Sequence, residues 1–268
     1  MSENKAHDRW ESGDPYETYV GRWSRRVAPR FLAWLDAPAG LAWLDVGCGT
    51  GALIEAVLQD CAPGRLAGID ASAGFLALAR QRLRSGSVEL READAQTLPF
   101  NDGEFDRVVS GLVLNFIPDP ARAIAEMARI ARRGGTVAVY VWDYAGGMEM
   151  MRYFWDAAAA VDPRAAELDE GRRFPICRPE ALGRLFETNG AFGDIATLAI
   201  DVPTVFRDFD DYWTPFLGGQ GPAPAYCASL SEDARAKLRE RLRARLPEAQ
   251  DGSIALSARA WAVRARRL

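Results

Sequence analysis

Apolar side chains at Tyr19, Val20, Trp23, Val27, Phe31, Leu32 and Leu35 recur at three- and four-residue steps, which predicts an amphipathic helix over residues 16 to 36. The period then changes. Residues 41 to 46 form a short apolar run that ends in Gly47-Cys-Gly-Thr-Gly51, and helical spacing resumes from Ala52 to Leu58. That is strand, glycine turn, helix. The same alternation continues with a strand over 65 to 70, a helix near 72 to 84, a strand over 87 to 91 and a loop holding Asp94. A strand over 105 to 110, a helix opened by Asp119 or Pro120 and running to about Ala131, and a nearly continuous apolar strand over 135 to 142 follow. A helix over 178 to 187 ends at Asn189-Gly190, and strands are predicted near 193 to 201 and 253 to 263. Strands that alternate with helices, and that read as unbroken apolar runs, predict an α/β fold: a mostly parallel sheet with helices on both faces.

Two stretches interrupt the alternation. Residues 144 to 176 hold Met148, Met150, Met151, Tyr153, Phe154 and Trp155, and residues 203 to 250 hold Phe209, Tyr212, Trp213 and Phe216 before an arginine-rich helical segment. Both read as helical insertions near the carboxyl edge of the sheet, where α/β folds bind ligands, and so as candidate substrate lids. Their methionines and aromatics sit at helical steps that suit an apolar cavity or an ordinary packed core. With no linker or repeat, the chain is read as a single domain over 1 to 268: an amino-terminal helical segment (1 to 40), a core (41 to 142) and the two insertions.

Composition narrows the function. Of 268 residues 49% are apolar and 26% charged, the proportions of an ordinary globular chain. A formal charge of −4 gives no general attraction to nucleic acid or to an anionic membrane, so the expected partner is a small molecule, and the chain is expected as monomer or homodimer. The arginines between 235 and 245 alternate around their helix and read as a solvated face. Four scattered cysteines and one histidine, His7, offer no metal-ligand spacing. No segment has the apolar length of a signal peptide core or a membrane span, so a cytoplasmic place is expected.

The chemistry lies at three strand ends. In Leu44-Asp-Val-Gly-Cys-Gly-Thr-Gly51 the glycines allow a sharp turn and close approach of a ligand to the backbone. The spacing Gly-x-Gly-x-Gly is not the Gly-x-Gly-x-x-Gly of dinucleotide sites, and Asp45 just before it would repel a pyrophosphate while favouring a cation. A nicotinamide-dependent oxidoreductase is thereby disfavoured. Asp70, followed by Ala71, can accept from both hydroxyls of a ribose, and Asp94-Ala95-Gln96 offers a carboxylate for an adenine amine.

These motifs, with Gly-Ile-Asp70, Ala-Asp94-Ala-Gln-Thr-Leu-Pro-Phe and Phe-Asp-Arg-Val-Val-Ser110 followed by Asn-Phe-Ile-Pro-Asp119, resemble the class I methyltransferases that use S-adenosylmethionine. The resemblance spans residues 41 to 142 and is to the small-molecule group similar to the ubiquinone and menaquinone biosynthesis enzymes. It implies a Rossmann-like, seven-stranded sheet with an antiparallel last strand, and S-adenosyl-L-homocysteine as product. It also implies that Gly47, Gly49 and Gly51 surround the methionine portion, with Cys48 among the cofactor-binding residues, that Asp70 holds the ribose, and that Asp94 and Ala95 hold the adenine. Ser110 and Gly111 would lie under the amino group, which Asp45 would orient. Cys48 reads as a small packed side chain. Many relatives carry histidines after the fourth strand, where this chain has Leu114-Asn115-Phe116.

Methyl transfer from a sulfonium needs alignment more than a base. If a base is used, Asp143 and Tyr19 are the leading candidates, with Tyr144 and Tyr16 behind them. The expected activity is methylation of a small, partly apolar metabolite at oxygen, carbon or nitrogen; a non-catalytic sensor or partner subunit that binds S-adenosylmethionine is the alternative.

Overall fold

The computed structural model describes residues 17–83, 88–219 and 221–268. A single π turn, Glu17–Gly21, leads into helix α1, Arg22–Leu35, so the predicted first helix is present but changes its winding at Arg22. The core elements follow in the expected alternation: β1 (Ala42–Val46), α2 (Ala52–Asp60), β2 (Arg65–Asp70), α3 (Ala73–Leu83), β3 (Val88–Glu92), β4 (Phe105–Gly111), α4 (Pro120–Ile130) and β5 (Ala131–Trp142). Then come α5 (Glu149–Val161), the short α6 (Glu170–Arg173), α7 (Pro179–Asn189), β6 (Phe192–Phe206), α8 (Phe209–Trp213), α9 (Pro222–Ser229), α10 (Glu232–Arg245) and β7 (Ile254–Arg267).

The seven strands lie in the order β3-β2-β1-β4-β5-β7-β6. β1 pairs in parallel with β2 and β4, β2 with β3, and β4 with β5, while the last strand runs antiparallel. Parallel strands covered on both faces need apolar residues throughout, and Trp43, Leu44 and Val46 of β1 and Val137 to Val141 of β5 are buried accordingly. The helix starts obey local rules. Asp119 accepts from the Arg122 amide ahead of Pro120, and Ser231 accepts from the Ala234 amide.

Two strands outrun their predicted ends. β6 continues to Phe206 because Val202, Thr204 and Phe206 alternate inward, and its place at the sheet's edge lets it hold Pro203. β7 continues through Arg264, Arg266 and Arg267, residues that look like a solvated tail. Their guanidiniums are held: Arg264 donates to the Trp34 carbonyl and lies 4.6 Å from the Trp34 ring centre, Arg266 pairs with Asp194 at 2.6 Å, and Arg267 donates to the carbonyls of Ala128 (2.9 Å) and Ala191 (3.2 Å).

The chain, read above as one domain with insertions, clusters into two compact units. One takes residues 24–141, 176–200 and 260–268 and contains β1 to β4 with their glycine turn. The other takes, among the described residues, 17–23, 142–175 and 201–259. Its core is aromatic: Phe154 stacks on Phe216 with ring centres 4.4 Å apart, Tyr19 meets Phe216 edge-on at 5.4 Å, and Trp23 meets Phe206 edge-on at 5.2 Å. Met148, Met150, Met151, Phe154 and Trp155 are all buried there, as are Tyr212, Trp213 and Phe216, so these residues pack a core.

Candidate functional site

The turn after β1 is tied to the end of β2. The amides of Gly47 and Cys48 both donate to the Ile69 carbonyl at 2.8 Å, and the Gly51 amide closes the turn on the Cys48 carbonyl at 2.9 Å. Gly47 has a φ of +74°, and a Cβ built on it would lie 2.5 Å from Val113 Cγ1, so only glycine fits. Gly49 differs. Its φ is +53°, yet a Cβ there would meet nothing within 4 Å, so this glycine faces open space.

Asp70 lies beside that opening. Its Oδ2 accepts from the Gly49 amide (2.9 Å) and its Oδ1 from the Ser72 amide (2.8 Å), while Ser72 itself caps α3 by accepting from the Phe75 amide (3.3 Å). Burial raises the Asp70 carboxyl, and the two amides pull it back. Each oxygen keeps further acceptor capacity, which suits a ribose hydroxyl. Ala71 follows it, exposed.

Asp45 is the site's anomaly. It is 1% exposed, and among the described residues neither carboxylate oxygen has a hydrogen-bond partner. Burial pushes its carboxyl up to about 8, with the Asp70 carboxylate adding to the effect. A buried acid without a donor costs stability. Cys48 is buried in the same turn, and burial pushes its thiol well above its ordinary range, with Asp45 and Asp70 acting in the same direction. It stays a packed thiol, not a thiolate.

The other strand ends fall as follows. Asp94 is exposed; its Oδ1 accepts from the Gln96 amide at 2.8 Å and both its oxygens accept from Gln96 Nε2 at 3.1 Å, which holds it below its ordinary range. Ala95 beside it is buried. Ser110 donates to the Val46 carbonyl at 2.7 Å, joining the ends of β4 and β1. A Cβ on Gly111 would lie 2.5 Å from the Tyr140 hydroxyl, so this glycine makes room for a phenol. Leu112 then takes a φ of +62°, rare for a branched residue and a mark of a turn held by its surroundings.

The two leading base candidates are otherwise engaged. Asp143 accepts from the amides of Gly146 (3.1 Å) and Gly147 (2.8 Å) and so holds its own turn. Tyr19 is buried and donates to Met151 Sδ at 2.9 Å; burial, with Glu170 adding to it, keeps its phenol well above the ordinary value. Tyr144 is buried near Phe174, ring centres 6.0 Å apart, and Tyr16 lies outside the described residues.

Sequence reasoning gave no role to two groups. Asn115, in the turn after β4, is buried, and among the described residues its Nδ2 has no partner. Glu170 is 2% exposed in the aromatic core, accepts from Trp155 Nε1, and is pushed up to about 8 by burial. Nothing in the run Asp169-Glu170-Gly171 distinguishes it from a surface acid.

A mostly parallel sheet with this strand order, a glycine turn after β1, and carboxylates at the ends of β1 and β2 make an α/β domain of the methyltransferase type. Residues 44–139 match the family model described as a methyltransferase domain. The chain therefore contains a domain of the class I, S-adenosylmethionine-dependent methyltransferase superfamily, similar to its quinone-biosynthesis group. It is 34% identical over 140 residues to a phosphatidylethanolamine N-methyltransferase of Cereibacter sphaeroides, covering 51% of this chain and 66% of that one. It is 41% identical over 106 residues to a demethylmenaquinone methyltransferase of Bacillus licheniformis, covering 38% of this chain and 45% of that one. The chain thus spans about half to two thirds of the length of these relatives. Its fold resembles the Haemonchus contortus phosphoethanolamine N-methyltransferase 2 solved in complex with S-adenosyl-L-methionine, with a TM-score of 0.58 and 18% identity over 94% of this chain and 56% of that one.

Proposed function

We propose that this chain transfers the methyl group of S-adenosylmethionine to a small, partly apolar metabolite, at oxygen, carbon or nitrogen. The observation that carries the reading is the partnerless, buried Asp45 carboxyl next to Asp70 and the open face of Gly49. S-adenosylmethionine, when bound, supplies a methyl group already activated on a sulfonium. The chain's own residues then have to hold and align. Gly47, Cys48, Gly49 and Gly51 would line the methionine portion, Asp45 would orient its amino group through water, Asp70 would accept from the ribose hydroxyls, and Asp94 with Ala95 and Gln96 would meet the adenine.

With Asp143 engaged by turn amides and Tyr19 by Met151, neither is proposed to remove a proton, and the acceptor is one that loses its proton readily. Stretches 144–176 and 203–250 are proposed to recognise the acceptor, a role their aromatic content suits. Relatives named for phosphatidylethanolamine and demethylmenaquinone favour an acceptor with an apolar part. The net charge of −4 supports a small molecule over nucleic acid, and four scattered cysteines without paired spacing suit the cytoplasm. Among the described residues no helix is long and apolar enough to cross a membrane.

The test is label transfer from methyl-labelled S-adenosylmethionine to a panel of amines, phenols and reduced quinones. Formation of S-adenosylhomocysteine with at least one acceptor, lost in Asp70→Ala, is the expected result. Tight binding of the donor with no turnover across the panel would overturn the catalytic reading in favour of a sensor.

A further inference from the structure

Between β3 and β4 the chain runs through residues 93–104 without helix or strand, and a stripe of polar residues along α4 holds it. Asp119, which caps α4, and Arg122, Glu126 and Arg129 within it stand at steps of three and four, and so share one face of the helix. Together they hold the alternate loop residues Gln96, Leu98 and Phe100. The Asp119 amide donates to Gln96 Oε1 (3.1 Å) and Arg122 Nε to the Gln96 carbonyl (2.8 Å). Glu126 accepts from the Leu98 amide (2.8 Å), and Arg129 donates to the carbonyls of Leu98 (3.0 Å) and Phe100 (2.9 Å). Gln96 is where this stripe reaches the candidate site. Its Nε2 donates to both oxygens of Asp94 at 3.1 Å, and its backbone amide donates to Asp94 Oδ1 at 2.8 Å. The reverse orientation of the carboxamide would set its oxygen against the Asp94 carboxylate and its nitrogen against an N–H, so the partners on either side fix it.

We propose that Gln96 is a positioning residue that makes the site selective for a base with an exocyclic amine, by clamping the Asp94 carboxylate in one orientation against α4. The proposal rests on the donor-site reading above, in which Asp94 meets the adenine. A carboxylate offers about four acceptor positions. Gln96 fills two on Oδ1 and one on Oδ2, which leaves a position on Oδ2 for a ligand N–H. Asp94 is exposed, and without the clamp its side chain would turn freely in water. With the clamp that freedom is already lost before a ligand arrives, so binding need not remove it. The hydrogen bonds from the Gln96 amide and carboxamide also hold the Asp94 carboxyl below its ordinary range, with Arg122 adding to the effect, so the group accepts and does not donate. A base with an amine at this place gains a hydrogen bond. A base with a carbonyl there sets oxygen against oxygen, and a clamped carboxylate cannot turn away. The side-chain oxygen, side-chain nitrogen and backbone amide of Gln96 are all engaged, so it acts through Asp94.

The experiment is calorimetric titration with S-adenosylhomocysteine and with S-inosylhomocysteine, which carries a carbonyl where adenine has its amine, and the readout is the ratio of the two affinities. The native chain is expected to prefer the adenosyl ligand by about a hundredfold. Gln96→Ala is expected to cut that preference about tenfold, the worth of one hydrogen bond to a charged group. Gln96→Glu keeps an acceptor for the Asp119 amide and removes the donor to Asp94, so it is expected to lose the preference as far, and it stands in if the alanine variant does not fold. Glu126→Ala loosens the same loop at Leu98 without touching Asp94, and is expected to weaken both ligands alike with the native preference kept. A native chain that binds the two ligands equally, Gln96 variants that keep the native preference, or a Glu126→Ala chain that loses it as they do would each overturn the clamp while leaving the donor site standing. Failure of both ligands to bind the folded native chain would overturn the donor-site reading, and the clamp with it.

Discussion

The turns after β1 and β2 and the aromatic core of residues 142–175 and 201–259 were built under different constraints, and the contrast explains what each can be asked to do. At the turns the backbone does the work. Gly47 is required by a Val113 side chain 2.5 Å from where its Cβ would be, and Asp70 by two amides that need an acceptor. In the aromatic core the side chains do the work, and Phe154, Trp155, Tyr212 and Phe216 could exchange places with other large apolar residues at modest cost if volume were kept. The first kind of site tolerates almost no substitution, and the second tolerates many.

The contrast can be broken most directly at Asp70. Asp70→Ala removes an acceptor from two amides and from any ribose, and S-adenosylhomocysteine affinity is expected to fall about a hundredfold or more, close to 3 kcal/mol, with the circular dichroism spectrum kept. A loss of under fivefold in titration calorimetry would remove Asp70 from the site. Next come the paired glycines. Gly47→Ala should lower unfolding stability by roughly 2 to 3 kcal/mol, from the left-handed backbone and the Val113 clash together. Gly49→Ala should cost only about 1 to 2 kcal/mol of stability, from the backbone alone, and yet weaken ligand binding, because its methyl enters the opening. Equal effects of the two on both readouts would erase the distinction between a packed and an open glycine.

Glu170 tests the aromatic core. The folded chain keeps its proton up to about 8, whereas the unfolded chain releases it near the ordinary 4.5. Its contribution is therefore fully present below about 4.5 and is lost as pH rises towards 8, by about 1.4 kcal/mol per pH unit in that window. Glu170→Gln, still able to accept from Trp155, should flatten the fall of melting temperature between pH 5 and 8, leaving the slope due to Asp45. An unchanged slope would mean that Glu170 ionises normally. The smallest effect is at Asp143: Asp143→Ala frees two turn amides and should cost about 1 kcal/mol of stability, with S-adenosylhomocysteine affinity unaltered.

The same contrast governs how much could be read in advance. Strands β1 to β5 and helix α4 fell within a few residues of their expected bounds, because a buried parallel strand must be apolar along its length and a helix start must be capped. The strand-end acids were legible because strand, glycine turn and helix left few places for a carboxylate. The ends of β6 and β7 were not, since Pro203 and three arginines argue locally for a loop, and only the sheet edge and the carbonyls of Trp34, Ala128 and Ala191 make them strand. Glu170 was invisible for a related reason. A glutamate becomes a buried acid only when Trp155, distant by 15 residues, folds its indole N–H against it. Likewise the partnerless state of Asp45 is a property of three strands together and not of its motif.

The ends of β1 and β2 are proposed to form a site for an adenosyl ligand carrying a positive charge, and the most direct test is titration of purified, ligand-free chain with S-adenosylmethionine, native and Asp70→Ala in parallel. Saturable binding of about one ligand per chain, lost in the variant, is the result the account requires. A folded native chain that takes up no S-adenosylmethionine would contradict it.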